Sequence, residues 1–343
     1  MTTTALPDPL AGRAAVWAAP MAGGPTTSEL VVAAARAGHV AQLAAGYRSA
    51  EAMVDEIAAV RAAGVEVFGV NLFVPNVHPI APDDYAAYAR SLAGDAERLG
   101  VAVDAPVTED DDAWGEKISA LAVDPVPLVS FTFGLPDAAD IARLRAAGAL
   151  TAQTVTSRDE ARAAEAAGID LLVVQGAAAG GHSGVWAAGA RPAERPLPAL
   201  VAEIAVDAPL PIVAAGGVAS ASDVAAALAA GAQAVAVGTA LLRATESGTS
   251  PTHRAALVDP RFRETALTRA FTGRYARALV NHFVAAHDAV APIGYPAIHH
   301  LTRPLRAAAS AAGDAERLHL WAGRGWRAAR EAPVGEILAS LIP

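Results

Sequence analysis

Alanine-rich segments with helical character alternate with short apolar runs through most of the chain. Five of these segments end in the dipeptide Ala-Gly, and an apolar run follows each one directly. The five dipeptides are Ala37-Gly38, Ala63-Gly64, Ala147-Gly148, Ala167-Gly168 and Ala230-Gly231. Glycine is typical of the position just after a helix, where the backbone turns left-handed. The pattern therefore predicts five helix-to-strand transitions.

Three further apolar runs complete the pattern. AAVWAAP lies near the start of the chain, and PLVSFTF and PIVAAGG follow proline-containing turns after Asp124 and Asp207. All eight runs are short and apolar on both faces, which is typical of parallel strands covered by helices. The eight predicted strands end near Pro20, Ala44, Phe73, Phe133, Val155, Gln175, Gly217 and Thr239.

Eight strand–helix units predict an α/β fold, the (β/α)8 TIM barrel. An open doubly wound sheet is the alternative, although no G-x-G-x-x-G follows the first strand. Residues 74–125 are too long for one helix and a turn, and their acidic run, 109–112, is interpreted as a solvated loop or a helix start. We predict a barrel over residues 1–242, a helical substrate lobe over the barrel mouth at 243–320, and a C-terminal helix within 321–343 that returns to the barrel.

Composition argues against several classes of protein. Charged residues make up 18% of the chain and hydrophobic residues 53%, so a large buried core is expected. The net charge of −9, without a Lys/Arg-rich block, argues against nucleic-acid binding. The chain has no cysteine, which excludes disulfides and thiolate metal sites, and it starts without a signal-peptide pattern. A cytoplasmic location is therefore expected.

Two uncharged stretches reach the length of a membrane span. They cover residues 224–242 and, apart from His182, residues 171–190. Both are rich in alanine and glycine rather than leucine and isoleucine, and glutamines interrupt them. We interpret them as buried segments of the α/β fold and predict no contact with a membrane.

Glycines directly follow three of the predicted strands, at the end of the barrel where active sites lie. They are Gly180-Gly181, Gly216-Gly217 and Gly238, which precedes Thr239. Without a Cβ atom, such loops let backbone N–H groups approach an anion, and the next helix adds its positive dipole. Tight turns alone would explain any single pair. Three such sites at consecutive strands predict a phosphate site.

His182 stands in the glycine-rich loop QGAAAGGHSG after the sixth predicted strand. Imidazole takes up a proton near neutral pH, which makes this residue a candidate general base. The alternative is a hydrogen-bonding residue of the surface. No metal site is predicted, because no ligand spacing surrounds His182, no H-E-x-x-H occurs, and the adjacent His299 and His300 do not share a helix face.

Side chains at other strand ends point to a planar ligand. Asn71 lies within the apolar run FGVNLF and Gln175 ends strand 6, and their amides pair either inside the barrel or with a polar heterocycle. Met21 and Ala22 offer backbone and apolar contact to a ring. Lys117 lies in the long region before the fourth strand, and the absence of a lysine at a strand end argues against pyridoxal phosphate. The predicted cofactor is flavin mononucleotide (FMN).

Several motifs in a fixed order carry a family resemblance. APMAGG, FGVNLF, QGAAAGGHSG, PIVAAGG and AVAVGT are followed by RAFTGRYAR at 269–277, by Asn281 and Phe283, and by YPAIHHLTRPLR at 295–306. Over nearly its whole length the chain therefore resembles the nitronate monooxygenases, formerly called 2-nitropropane dioxygenases. The AGGH segment joined to the two later glycine loops is the most specific part of the resemblance.

The resemblance implies an FMN-containing barrel with a helical substrate lobe. By that resemblance, Asn71 and Gln175 contact the flavin, and Gly180, Gly217 and the segment 236–239, whose residues are Ala236, Val237, Gly238 and Thr239, hold the phosphate. His182 matches the base that removes the α-proton of a nitroalkane. The implied reaction consumes O2, gives a carbonyl compound and nitrite, and uses no nicotinamide cofactor.

The chain departs from the family at two positions of the histidine loop. Many members have glutamate at the position of Ala178 and a basic or apolar residue at that of Ser183. FMN-dependent enoyl-acyl-carrier-protein reductases, which use NADH, share the scaffold and a similar loop, and remain an alternative. A phosphometabolite-binding barrel without catalysis is a third interpretation.

Several features of the tail and of the assembly stay open at the level of sequence. Arg274 and Arg277 are expected one turn apart on a helix, either in ion pairs or near the flavin. Tyr295, Trp321 and Trp326 are interpreted first as core residues and second as walls of the pocket. A small-molecule substrate is expected, and the sequence is compatible with a homo-oligomer.

Overall fold

The computed structural model describes residues 4–75, 78–103, 106, 109–207 and 209–343. Its strands are β1 (Val16–Ala18), β2 (Gln42–Ala44), β3 (Gly69–Phe73), β4 (Leu128–Thr132), β5 (Leu150–Val155), β6 (Leu171–Gln175), β7 (Gly181–His182), β8 (Ile212–Ala215), β9 (Ala234–Val237), β10 (Thr265–Thr268) and β11 (Ala276–Leu279). Its α-helices are α1 (Ser28–Arg36), α2 (Ala50–Ala62), α3 (Pro82–Ser91), α4 (Ala93–Leu99), α5 (Trp114–Val123), α6 (Ala138–Ala146), α7 (Arg158–Ala166), α8 (Leu197–Asp207), α9 (Ala221–Ala229), α10 (Pro251–Ala256), α11 (His282–His287), α12 (Ala297–Ala311) and α13 (Val334–Ala339). Two short 3-10 helices lie at Thr239–Leu241 and Trp326–Ala328.

Eight parallel strands form the barrel that the sequence predicts. They pair in the order β1-β9-β8-β6-β5-β4-β3-β2. A parallel bridge between Ala18 and Ala41 joins the two ends of this sheet, and the Ala18 N–H donates to the Val40 carbonyl at 2.9 Å. The (β/α)8 fold is therefore confirmed, and the open doubly wound sheet is not formed.

The Ala-Gly dipeptides end helices as expected. The five glycines that follow these helices have φ angles between +80° and +113°, a conformation that is costly for residues with a Cβ atom. Backbone N–H groups of the segments after the helices bond back to carbonyls of the last turn, as Gly148 does to Arg145 at 3.0 Å. Each helix therefore stops where the next strand must enter the barrel.

The barrel interior changes from apolar to polar along the strands. Near the amino ends of the strands, Trp17, Leu128, Leu171 and Val213 form a buried apolar cluster. Further along the strands, the inward positions carry hydroxyl and amide groups. These are Asn71, Ser130, Thr132, Thr154 and Gln175, and the side chain of Gln42 at the start of β2 joins them through Ser130. The polar end of the interior is the end at which a ligand would meet the barrel.

The long segment between β3 and β4 contains three helices, α3 to α5. The acidic run at 109–112 precedes α5, but its last residue is not a solvated side chain. Asp112 pairs with Lys117 at 2.8 Å, and only 15% and 1% of these side chains are exposed. The Lys117 Nζ atom also donates to the Ala45 carbonyl at 2.9 Å. The interpretation of the whole run as a solvated loop is wrong for Asp112.

The tail after the barrel contains a β-hairpin as well as helices. Strands β10 and β11 pair antiparallel, and β11 also pairs antiparallel with β7 of the histidine loop. The expectation of a helix that carries both Arg274 and Arg277 is wrong, because Arg277 lies in β11 and Arg274 in the turn before it. The sequence of β11, ARAL, favours a helix locally, and the strand forms because two neighbouring segments supply its hydrogen bonds.

Two helices of the tail pack against different parts of the barrel domain. Helix α12 packs against α4, and α13 packs against α1 and β1. Among the described residues, no helix is both long enough and apolar enough to cross a membrane. The uncharged stretch at 171–190 contains β6 and β7, and the one at 224–242 contains most of α9, all of β9 and a 3-10 helix.

Candidate active site

A cavity of about 540 Å³ lies at the carboxyl ends of the barrel strands, between the barrel and the tail. All thirteen residues that the sequence analysis selected lie on its walls. They are Met21, Ala22, Asn71, Gln175, Gly180, Gly181, His182, Gly216, Gly217, Ala236, Val237, Gly238 and Thr239. The fold therefore brings together residues from the ends of five barrel strands, β1, β3, β6, β8 and β9.

Backbone atoms form one end of this cavity, at the three glycine loops. A Cβ atom on Gly180 would lie 2.5 Å from the Gly323 nitrogen and 2.8 Å from the Thr239 Oγ1 atom. Gly216 and Gly217 have φ angles of +109° and +79°, which residues with a side chain rarely adopt. Loops of this kind present N–H groups at close range to an anion.

The tail supplies a wall of this end that sequence reasoning missed. Gly323 and Gly325 line the cavity, and the Gly323 N–H donates to the Thr239 Oγ1 atom at 3.0 Å. A Cβ atom on Gly325 would lie 2.5 Å from the Cβ of Ala219. The only local signal was the pair of glycines in WAGRGW, which by itself does not indicate contact with a loop more than 80 residues away.

Two arginines of the tail hold the histidine loop by donating hydrogen bonds to its backbone carbonyls. The Arg277 Nε atom donates to the Ala177 carbonyl at 2.8 Å, and the Arg324 N–H donates to the Ala178 carbonyl at 3.0 Å. The guanidinium of Arg277 also lies 3.6 Å from the carboxylate of Glu194. These contacts hold the loop, so Arg277 acts as a support of the glycine end rather than as a residue of the cavity wall.

A hydrogen-bonded chain of polar side chains forms the floor of the cavity. The Asn71 Nδ2 atom donates to Ser130 Oγ at 2.8 Å and to Thr132 Oγ1 at 3.2 Å. Ser130 Oγ donates to Gln42 Oε1 at 2.6 Å, and the hydroxyls of Thr132 and Thr154 lie 3.2 Å apart. Among the described residues, none donates to Asn71 Oδ1. The amide thus makes the internal bonds and keeps an acceptor for a ligand.

Gln175 connects the floor to the histidine loop. Its Oε1 atom accepts a hydrogen bond from the Gly184 N–H at 2.7 Å, and its Nε2 atom lies 3.4 Å from the His182 carbonyl. On the opposite wall, the Met21 N–H donates to Thr26 Oγ1 at 2.8 Å, and Ala22 packs against an aromatic cluster. Gln175 therefore positions the loop in addition to lining the cavity.

His182 lies where the histidine loop joins the hairpin of the tail. It pairs with Ala276 in the β7–β11 ladder, and the Ser183 N–H donates to the Tyr275 carbonyl at 2.9 Å. The imidazole Nε2 atom lies 2.9 Å from Thr272 Oγ1. Aromatic rings of three other residues approach the imidazole, with centroids 5.4 to 5.9 Å away. They belong to Phe133, Tyr295 and Trp321.

The electrostatic environment keeps His182 neutral. Burial of the ring, and then the positive charges of Arg274 and Arg306, lower the pKa of His182 to about 3. Burial likewise lowers the pKa of His253 to about 4 and holds that of His299 well below its usual range. Among the described residues that line the cavity, there is no aspartate or glutamate. The cavity is thus a site for neutral or anionic molecules.

Two aromatic residues reach the cavity through backbone conformations that favour glycine. Phe133 has a φ angle of +83°, and the Arg274 guanidinium lies 4.2 Å from the centre of its ring. Tyr47 has a φ angle of +66°, its N–H donates to Asp112 Oδ1 at 2.8 Å, and its ring stacks on that of His299 at 4.2 Å. Such conformations persist only where the surroundings impose them, and they cluster at functional sites.

The donors on the walls of this cavity are of the kinds that a phosphate and a polar heterocycle require. A Cβ-free cradle lies at one end, and a floor of amide and hydroxyl groups lies beneath the middle of the cavity. A phosphate requires N–H donors at close range, and a polar heterocycle requires a mixed set of donors and acceptors. By contrast, the described residues contain no cluster of three histidine or carboxylate side chains that would hold a metal ion.

This combination of a TIM barrel, glycine loops and a half-buried histidine on one cavity defines a class of barrel oxidoreductases, and comparison with known proteins identifies the family. The family model for nitronate monooxygenase matches residues 12–343. The chain therefore belongs to the nitronate monooxygenase family. Its predicted resemblance and its assignment as an enzyme are confirmed.

Relatives with known names agree with this assignment. The chain is 34% identical over 329 residues to a probable nitronate monooxygenase of Staphylococcus aureus strain Newman, and the match covers 93% of this chain and 91% of the relative. The crystal structure of a nitroalkane oxidase from Streptomyces ansochromogenes is similar, with a TM-score of 0.89 and 46% identity, covering 96% of this chain and 94% of that one. FabK of Thermotoga maritima, 23% identical over 96% of this chain and 91% of its own, has a TM-score of 0.69 and shares the fold.

Proposed function

We propose that this protein is an FMN-dependent enzyme that oxidises alkyl nitronates and nitroalkanes with O2 to carbonyl compounds and nitrite. The family assignment supports the oxidation of nitro compounds. The observation that carries the proposal is the position of His182, a neutral imidazole on the wall of the same cavity that the glycine loops line.

Binding of the flavin is assigned to backbone and amide groups of this chain. Gly180, Gly217, Thr239 and Gly323 would surround the phosphate, and the free acceptor of Asn71 would face the ring system. When bound, FMN supplies the exchange of electrons with the substrate and O2. The close approach of Gly180 to the tail supports this assignment, because a Cβ atom there would lie 2.5 Å from the Gly323 nitrogen and would push these loops apart.

His182 acts on the neutral nitroalkane in this proposal. A general base must offer a lone pair, and burial with two nearby arginines keeps the imidazole unprotonated. When the α-carbon loses its proton to His182, the electron pair of the C–H bond moves onto the nitro group. The negative charge then lies in a cavity that Arg306 lines and close to His182, on which the charges of Arg274 and Arg306 both act, and the attraction offsets the unfavourable charge on the imidazolium.

The aromatic rings around His182 exclude water from the site of proton transfer. Phe133, Tyr295 and Trp321 approach the imidazole, with ring centroids 5.4 to 5.9 Å away. Removal of water strengthens the interaction of the new nitronate with the two arginines, because the local dielectric constant is lower. The same rings leave room for an alkyl chain rather than for a strongly hydrated group.

A spectrum and two assays test the function. The purified protein should show the visible absorption of oxidised flavin, and it should release nitrite from a small alkyl nitronate in air. It should not be reduced rapidly by NADH without oxygen. A colourless protein that cannot be reconstituted with FMN, or rapid reduction by NADH without nitrite release, would overturn the proposal, the second result in favour of an enoyl reductase activity.

A further inference from the structure

We infer that Arg277 makes this chain bind FMN in preference to riboflavin, because its buried guanidinium attracts the phosphate across the histidine loop, and that Glu194 offsets part of this attraction. The inference rests on the proposed function, in which the site binds FMN. It adds a charged residue to a phosphate site that is otherwise assigned to glycine backbone and a threonine. Arg277 is thus a specificity-determining residue for the cofactor.

The backbone of Arg277 lies next to both segments that would enclose the phosphate. In the β7–β11 ladder it pairs with Gly181, which follows Gly180. Its carbonyl accepts a hydrogen bond from the Ala322 N–H at 3.2 Å, and Gly323 is the next residue of the tail. On each side, Arg277 therefore contacts the immediate neighbour of a residue assigned to the phosphate.

The guanidinium of Arg277 binds the histidine loop but does not line the cavity. Its Nε atom donates to the Ala177 carbonyl at 2.8 Å. Gly217, which does line the cavity, approaches the same loop so closely that a Cβ atom on it would lie 2.6 Å from the Cβ of Ala178. The segment 177–178 therefore contacts both the guanidinium and the proposed phosphate site, and only a short stretch of backbone separates the two.

Three guanidinium groups share one carboxylate at this place. The Oε2 atom of Glu194 accepts a hydrogen bond from Arg324 Nη2 and lies 3.6 Å from Arg277 Nη2. The Oε1 atom of Glu194 lies 3.6 Å from Arg191 Nη2. Among the described residues, Glu194 is the one carboxylate that pairs with Arg277. The cluster therefore carries more positive than negative charge.

Burial lets the charge of Arg277 act over this distance. The side chains of Arg191 and Arg324 are 57% and 58% exposed, so water and salt screen them, whereas that of Arg277 is 2% exposed. Its Nη2 atom is buried and has no hydrogen-bond partner among the described residues. Burial, and then the charge of Arg324, lower the pKa of Arg277, but a guanidinium stays protonated in proteins. A phosphate monoester carries about −1.5 to −2 charges at pH 7 and would balance this excess.

A role in charge and a role in holding the loop predict opposite effects for Glu194. If Arg277 and Glu194 only held the loop, removal of either charge would weaken the site or leave it unchanged. If charge matters, neutral Arg277 variants bind phosphate more weakly, and a neutral Glu194 variant binds it more tightly, because more positive charge is left uncompensated. Riboflavin has the same ring system without the phosphate, so its affinity should respond much less.

Titration of the full-length apoprotein with FMN and with riboflavin, followed by flavin fluorescence, measures the ratio of the two affinities. In Arg277→Met this ratio should fall about tenfold in disfavour of FMN, and Arg277→Lys, which keeps the charge, should recover most of the loss. In Glu194→Gln it should rise about threefold, a smaller effect because 35% of that side chain is exposed. Glu56→Gln is the matched control and should leave the ratio unchanged, since it removes the same charge from α2, where Glu56 pairs with Arg48 at 3.0 Å.

The inference and the proposed function fail in distinguishable ways. A ratio that falls or stays the same in Glu194→Gln, or that is unchanged in Arg277→Met, overturns the role of Arg277 while the wild type still binds FMN. A wild-type protein that binds neither flavin overturns the proposed function itself. Circular dichroism shows whether each variant has folded. If Arg277→Met does not fold, Glu194→Gln still decides, because its side chain is partly exposed and its amide oxygen can accept from Arg324.

Discussion

The ring of Phe133 lies edge-to-face against the imidazole of His182, with 5.6 Å between the ring centroids, although the backbone of Phe133 has a φ angle of +83°. The strained backbone of Phe133 therefore places a ring in direct contact with the candidate base. β4 ends at Thr132, and the left-handed turn that follows aims the aromatic ring into the cavity.

Replacement of Phe133 should reveal this strain. Phe133→Gly and Phe133→Ala both lose the ring, but glycine adopts positive φ angles without a steric penalty. We expect the glycine variant to be more stable than the alanine variant by about 1 kcal/mol, the reverse of the usual order. Urea denaturation of the two variants measures the difference. If alanine proves the more stable, the backbone at this position is not strained.

His182→Asn should separate proton removal from the later steps. The variant should keep its flavin and lose about 10²–10⁴-fold in kcat/KM on a neutral nitroalkane, the range typical of general-base catalysis. Its activity on the preformed nitronate should fall much less, because that substrate has already lost its proton. Nitrite release from the two substrates gives the comparison, and equal losses would exclude His182 as the base.

The rate of that reaction should not fall near pH 6.5, where an ordinary histidine becomes protonated. Since burial, Arg274 and Arg306 lower the pKa of His182 to about 3, the ring is already unprotonated at pH 5. We therefore expect kcat/KM for the neutral nitroalkane to show no loss between pH 7 and pH 5 from protonation of this group. Arg274→Met removes a positive charge, so it should raise this pKa and move the acid limb upward. A fall in the wild-type kcat/KM with a midpoint near pH 6.5 would contradict the lowered pKa of His182.

Gly180→Ala should weaken flavin binding. The added methyl group would meet the Gly323 nitrogen at 2.5 Å and Thr239 Oγ1 at 2.8 Å, within the proposed phosphate cradle. We expect a loss of at least tenfold in FMN affinity, measured by reconstitution of the apoprotein. Gly115→Ala is the matched control, because a Cβ atom there meets no heavy atom within 4 Å and alanine favours a helix. Wild-type affinity in Gly180→Ala would refute the placement of the phosphate.

The buried pair of Asp112 and Lys117 should be important for stability. Lys117→Met leaves the Tyr47 N–H as the one partner of the Asp112 carboxylate among the described residues, and it should cost about 3 kcal/mol or more in the free energy of unfolding. The double variant with Asp112→Asn keeps an acceptor for Tyr47 and removes the unpaired charge, so it should recover part of the loss. A double-mutant cycle gives the coupling, and additive effects would show that the two side chains do not interact.

The barrel could be predicted from sequence because its signals are local. An Ala-Gly helix end and the apolar run after it lie within a few residues of each other, as at Gly148 before β5. The glycine loops and His182 follow the strand ends directly, so their common location at the barrel mouth follows from the topology.

The missing parts of the site depend on contacts between distant segments. Thr272 lies 90 residues from His182 and Gly323 lies 84 residues from Thr239, and neither has a sequence pattern that indicates its partner. The hairpin was missed for the same reason, because β11 gains its strand structure from β10 and β7 rather than from its own residues. The buried ion pair of Asp112 could not be predicted, because the acidic residues next to it in the sequence are exposed and the whole run has the composition of a solvated loop.

The Gly323–Thr239 contact also has a consequence for how the holoenzyme assembles. A chain that ended after β9 would have all eight barrel strands but would lack the wall that Gly323 and Gly325 provide. Capture of the cofactor would then be the last step of maturation, open only to molecules whose tail has already docked. The flavin absorbance of a preparation would thus measure the fraction of chains whose tail has docked. Chains with an intact barrel but an undocked tail would bind no flavin and remain colourless.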